Sequence, residues 1–67
     1  MEKVIHPEIG EIWHDVRFGE NFLILGIQPT RVKYIHILKA LMMRTDEIHE
    51  IAVEDRQIKG GLVRRVA

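Results

Sequence analysis

Gly10-Glu11-Ile12-Trp13-His14-Asp15-Val16 is the stretch on which the fold turns, because it alternates strictly. Ile12, His14 and Val16 share one face, and Glu11, Trp13 and Asp15 share the other. A period of two is the repeat of a β-strand. The alternation assigns Ile12 and Val16 to the core and sends Glu11 and Asp15 to solvent. Trp13 is left with two outcomes. Either a bulge or coiling of the strand returns its ring to the core, or the ring stands exposed as an anchor for a partner. Trp13 is the sole Trp among 67 residues, and a domain so short needs its largest aromatic side chain inside, which favours the core.

Downstream, Phe18-Gly19-Glu20-Asn21 supplies turn chemistry. Phe22-Leu23-Ile24-Leu25-Gly26-Ile27 is apolar on both faces of a strand, which suits a central strand covered on both sides or one bending between packed sheets. Gly26 is the position where such a bend is easiest. Pro29-Thr30 breaks the run, since Pro fixes φ and cannot donate to a ladder. Arg31 to Leu38 predicts a third strand. Residues 39–45 stay open between strand, bulge and helical turn, because Lys39-Ala40-Leu41-Met42-Met43 has helix-favouring composition. Glu47 to Val53 is read as a strand paired back onto residues 35–43, with Lys39 facing Glu50. A helix from Thr45 would align Ile48, Ile51, Asp55 and Ile58, a poor apolar stripe. Asp55 to Ile58 predicts a short helical turn stopped by Gly60-Gly61, and Leu62 to Val66 a last strand. Five short strands, tight turns and one helical turn describe an all-β domain, a small antiparallel barrel over residues 1–67.

The 10 Lys and Arg balance the 10 Asp and Glu, but in segregated blocks. Residues 1–30 sum to −3, residues 31–45 to +4, residues 46–55 to −5 and residues 56–67 to +4. If residues 31–43 pair with 47–53, the middle blocks cancel and the C-terminal strand is left as an unbalanced basic surface. Zero Cys excludes disulfides, thiolate metal sites and thiol nucleophiles. Zero Ser completes the exclusion of the usual nucleophilic triads, with Thr30, Thr45 and Tyr34 the only hydroxyls. No apolar run is longer than Phe22 to Leu25, far short of a membrane span, and Met1-Glu2-Lys3-Val4 lacks the build of a signal peptide. A cytoplasmic protein without a membrane partner is expected.

Gly10-Glu11-Ile12-Trp13, Phe22 to Ile27, and Val53 to Gly61 leading into Leu62-Val63-Arg64 together resemble the SH3-like barrel pattern. Within it, the chain is similar to short SH3-like proteins of bacteria and their phages and to KOW-type domains. The resemblance covers roughly residues 9–66. It implies a five-stranded SH3-like barrel with a short 3₁₀ turn before the last strand. It also implies binding rather than catalysis, and a phage or mobile-element product directed at a host protein. The opening is similar too to toxin endoribonucleases of the MazF type. That likeness stops at Glu11 and Trp13, and no ribonuclease activity is inferred.

His6, His14, His36 and His49 invite a metal reading, with Glu8, Asp15 and Glu50 close in sequence, but no pair has the His-Glu-x-x-His spacing or another zinc signature. No metal ligand, cofactor or catalytic residue is expected; Glu11 and Asp15 are taken as solvated acids. His14 and His36 stand out because each lies among apolar neighbours, where a neutral imidazole with one hydrogen bond is the ordinary outcome. Lys59, Arg64 and Arg65, joined by Arg31 and Lys33, would make a patch for an acidic protein or a nucleic acid. The acidic block and the scarcity of aromatics for base stacking favour the protein. The expected partner-binding surface combines Trp13 or Tyr34 with Arg17, Arg31, Lys33, Arg64 and Arg65. A cellular or host protein is the first partner, nucleic acid the second, and a homodimer stays open.

Overall fold

Residues 6–67 are described by the structure, a computed structural model. The elements in chain order are β1 (Ile12–Asp15), β2 (Glu20–Gln28), β3 (Ile35–Met42), β4 (Glu47–Glu54), α1 (Asp55–Lys59) and β5 (Val63–Arg65). The strands form one five-stranded antiparallel sheet in the order β4-β3-β2-β1-β5. β4 and β5 end the sheet and are not paired to each other, so the ladder is not closed.

Residues 39–42, open in the sequence, continue β3, and Lys39 stands opposite Glu50 as the charge pattern requires. β3 begins at Ile35 rather than at Arg31. The reason is local: the Thr30 hydroxyl accepts the Val32 N–H at 3.1 Å, and the Ile35 N–H turns back to the Val32 carbonyl at 3.2 Å. Side-chain and turn bonds of this kind compete with a ladder. Arg31, Lys33 and Tyr34 therefore sit in the loop before β3.

The turn before β5 is α-helical rather than 3₁₀. The Gly60 N–H bonds the Arg56 carbonyl four residues back at 2.9 Å, and Gln57 Oε1 accepts the Glu54 N–H at 2.9 Å as in a capping box. The helix ends in a Schellman motif: Leu62 N–H bonds Gln57 O, and Gly61 N–H bonds Ile58 O. That motif requires the left-handed backbone that Gly61 adopts, with φ +76°. A Cβ there would meet no atom within 4 Å, so Gly61→Ala should cost backbone strain alone, about 1–2 kcal/mol. Urea denaturation of the variant against the parent measures this; an unchanged midpoint would mean the motif is not formed.

β2 is central but covered on one face only. Phe22 and Ile24 point inward, the register slips between Ile24 and Gly26, and Leu25 is the unpaired residue of the resulting bulge. The bend expected at Gly26 thus falls beside it. The core is Trp13, Phe22, Ile24, Leu38, Ala40, Val53 and Val63, drawn from all five strands, with Met42, Ile51 and Ile58 packed against it. A single sheet with so short a helix buries residues of both its edge strands in one cluster by curling around them.

In β1 the alternation holds, but the faces are the reverse of the expected ones. Trp13 is 1% exposed, pairs with Phe22 across an unbulged ladder, and brings Glu11 and Asp15 into the interior with it. Ile12 and His14 are left half-buried on the outer face, and Val16 is exposed. The inner face is the one that sets the indole, the largest side chain of the domain, against Phe22 in the core.

Candidate functional site

Burying two carboxylates demands partners, and β1 and its neighbours provide them. Glu11 Oε1 accepts the Trp13 indole N–H at 3.0 Å and the Glu8 backbone N–H at 2.8 Å, while Arg65 lies 3.1 Å from Oε2. The indole bond holds the Glu11 carboxyl below the ordinary glutamate value; burial opposes it, and the Glu8 N–H and the Arg65 charge reinforce it. Asp15 is clamped by Arg17 through the backbone N–H and two guanidinium nitrogens at 2.8–3.1 Å. Those bonds hold its carboxyl below the ordinary aspartate value against the effect of burial. Glu11 and Asp15 are 8% and 6% exposed, so the expectation of two solvated acids is corrected. They are ionised structural groups.

These pairs redistribute the charge blocks. Two N-terminal acids find cations in the basic blocks, Glu11 with Arg65 and Glu20 with Arg44 at 3.2 Å, while Asp15 pairs with Arg17 of its own block. The basic C-terminal block is thus balanced in part, with Arg56 on Glu54 and Arg65 on Glu11. Among the described residues, Arg31, Lys33, Lys39, Lys59 and Arg64 form no ion pair, so Lys39 stands opposite Glu50 without bonding it.

The expected binding residues do not assemble into one surface. Trp13 is in the core and offers a partner nothing. Arg17 and Arg65 grip the buried acids, and the Arg17 guanidinium also lies 5.3 Å from the ring centroid of exposed Phe18. Tyr34 is 56% exposed and shares the loop before β3 with Arg31 and Lys33. Arg64 stands opposite His14, on the outer face of β5. Two strands, β2 and β1, lie between β3 and β5 in the sheet.

A surface that the sequence reading missed lies on that outer face. Ile12 pairs with Leu23, Leu23 with Leu41, and Leu41 with Ile48. Residues directly opposed across antiparallel strands share a face, so these four side chains form one apolar row across β1, β2, β3 and β4. The first three are half-buried and Ile48 is 57% exposed. Lys39, Glu50 and Gly26 lie in the next outer row along the strands, and His14, Asn21 and Arg64 in the one on the other side. The sheet register is what reveals the row, since the alternation had assigned Ile12 to the core.

The histidines also separate. His14 Nδ1 bonds the side chain of Asn21, its ladder partner on the outer face. His36 faces inward opposite Val53, and its Nε2 lies 2.7 Å from Asp55 Oδ1. His6 joins that pair, with its ring centroid 5.4 Å from that of His36. His6, His36 and Asp55 each present one donor atom within 4.8 Å of the other two, the grouping among the described residues that is able to share a cation. They come from three separate segments, which is why no spacing motif marks them. No helix among the described residues is long and apolar enough to cross a membrane. A comparison with protein-family models, with curated proteins and with solved structures finds no match for this chain.

Proposed function

We propose that the chain is a non-enzymatic binding module of the SH3-like barrel class, and that it docks a cellular or host protein on the outer face of its sheet. Support for the barrel class comes from the strand order β4-β3-β2-β1-β5, from a long β2 shared between the β1 and β3 ladders, and from a helical turn just before a short last strand. The docking surface rests on one observation, the row Ile12-Leu23-Leu41-Ile48. An antiparallel sheet with a single core normally shows polar side chains on its other face. An apolar strip spanning four strands and flanked by charges has the layout of a contact surface, an apolar centre with a polar rim. The partner that fits is an apolar protein surface carrying carboxylates to meet Arg64 and Lys39.

Ile48→Asp tests this reading, because Ile48 lies outside the core and its replacement should cost only about 1 kcal/mol, the span of strand propensity. With a partner isolated by affinity capture and then purified, the variant should bind at least roughly tenfold more weakly, as for a central interface residue. Equal affinity with equal stability would remove the row from the interface. If the purified chain is a dimer in sedimentation and Ile48→Asp dissociates it, the occupant is a second copy. Salt-dependent binding to RNA or DNA, lost when Arg31 and Arg64 are changed to Glu, would replace this reading with the nucleic-acid one.

A further inference from the structure

A domain of this size without disulfides commonly gains stability from a metal, and one cluster in this molecule has the donors to hold it. His36 is fixed by the β3–β4 ladder, and Asp55 opens α1 with its backbone N–H bonded to the Tyr34 carbonyl at 2.9 Å. Both donors are therefore set by secondary structure. His6 arrives from the opposite end of the chain, held by Pro7, which is buried. An ion pair between His36 and Asp55 needs only those two groups. A second imidazole brought to the same spot, within 4.8 Å of both, is what a hydrogen-bonded pair leaves unexplained.

We propose that His6, His36 and Asp55 bind one divalent transition-metal ion of the zinc type, with water in the fourth position. Two imidazoles and one carboxylate form a donor set suited to zinc, nickel or cobalt, and three protein ligands plus water is a familiar tetrahedral arrangement. Metal–ligand bonds of 2.0–2.1 Å in a tetrahedron place donor atoms roughly 3.3 Å apart. The His36–Asp55 contact of 2.7 Å lies close to that separation, so an ion needs only to part the pair by about half an ångström while the His6 donor draws in. Bound there, the ion ties the segment before β1 to β3 and α1, three stretches otherwise far apart in sequence. The fourth position leaves it accessible to solvent.

The test uses the full chain, freed of any affinity tag and stripped with a chelator. Zinc chloride should bind at one ion per chain by calorimetry. At a hundred times Kd it should raise Tm by roughly 10 °C or more. Cobalt chloride should give the visible absorption bands of a four-coordinate ion. His6→Ala should abolish all three signals while leaving the metal-free Tm unchanged, since His6 is exposed. Asp55→Asn should weaken them, and His49→Ala should leave them intact. Absence of any zinc or cobalt signal from the parent chain would overturn the proposal. So would signals that survive His6→Ala, or signals lost on His49→Ala.

Discussion

Trp13→Ala should destabilise the chain by about 3–5 kcal/mol, the cost of emptying a large aromatic site in a core. A domain of this length has only about 3–10 kcal/mol to lose, so the variant should keep only a small part of the parent's stability. The site cannot collapse to fill the space, because Trp13 is held between the ladder partners Phe22 and Arg65 on neighbouring strands. Two effects add: the lost apolar burial, and a Glu11 carboxylate that loses its indole donor while remaining in the interior. Urea denaturation followed by circular dichroism gives the magnitude. Trp13→Phe helps to separate the two effects, since it deletes the donor while keeping most of the apolar burial. Full stability in Trp13→Ala would mean that the ring is not in the core at all.

The second large effect is expected at Glu11. Glu11→Ala orphans the indole N–H of Trp13 in the interior, which costs about 1–3 kcal/mol, and it also removes the partners of the Glu8 N–H and of Arg65. The same site makes the parent chain acid-sensitive. The folded-state values of Glu11 and Asp15 are depressed below their ordinary 4.5 and 3.8. A depressed carboxyl contributes stability that is fully present above its unfolded value and lost as pH falls through the folded one. Stability should therefore be flat with respect to these two groups near neutrality and decline below about pH 4.5. Glu11→Gln should be less stable than the parent at pH 7 and should lose less on acidification, so that the two curves converge at low pH. Parallel curves across the acid range would show that Glu11 is not the group being protonated.

Much of the fold was legible locally. Alternation, turn residues and the break at Pro29 place five strands and one helical turn, because each signal acts over a few residues. Even one tertiary register was readable: the basic and acidic blocks of β3 and β4 set Lys39 opposite Glu50. The candidate surface was not legible in the same way. The apolar row joins four strands, and Ile12 and Leu23 become neighbours of Leu41 and Ile48 only once the sheet order and register exist. The histidine cluster is more distant still, since residues 6, 36 and 55 meet only when the segment before β1 lies beside the start of α1.

What the sequence by itself determined is therefore the set of elements and which residues share a face. A period of two fixes the partition of β1 into Glu11-Trp13-Asp15 and Ile12-His14-Val16, but it carries no sign saying which side is inside. The tertiary structure chose the face with the Trp. That face sets the largest side chain of the domain against Phe22 in the core, while Ile12 stays half-buried outside, and the two acids carried inward are made tolerable by groups that folding supplies: the Trp13 N–H, Arg17, and Arg65 from the far end of the chain.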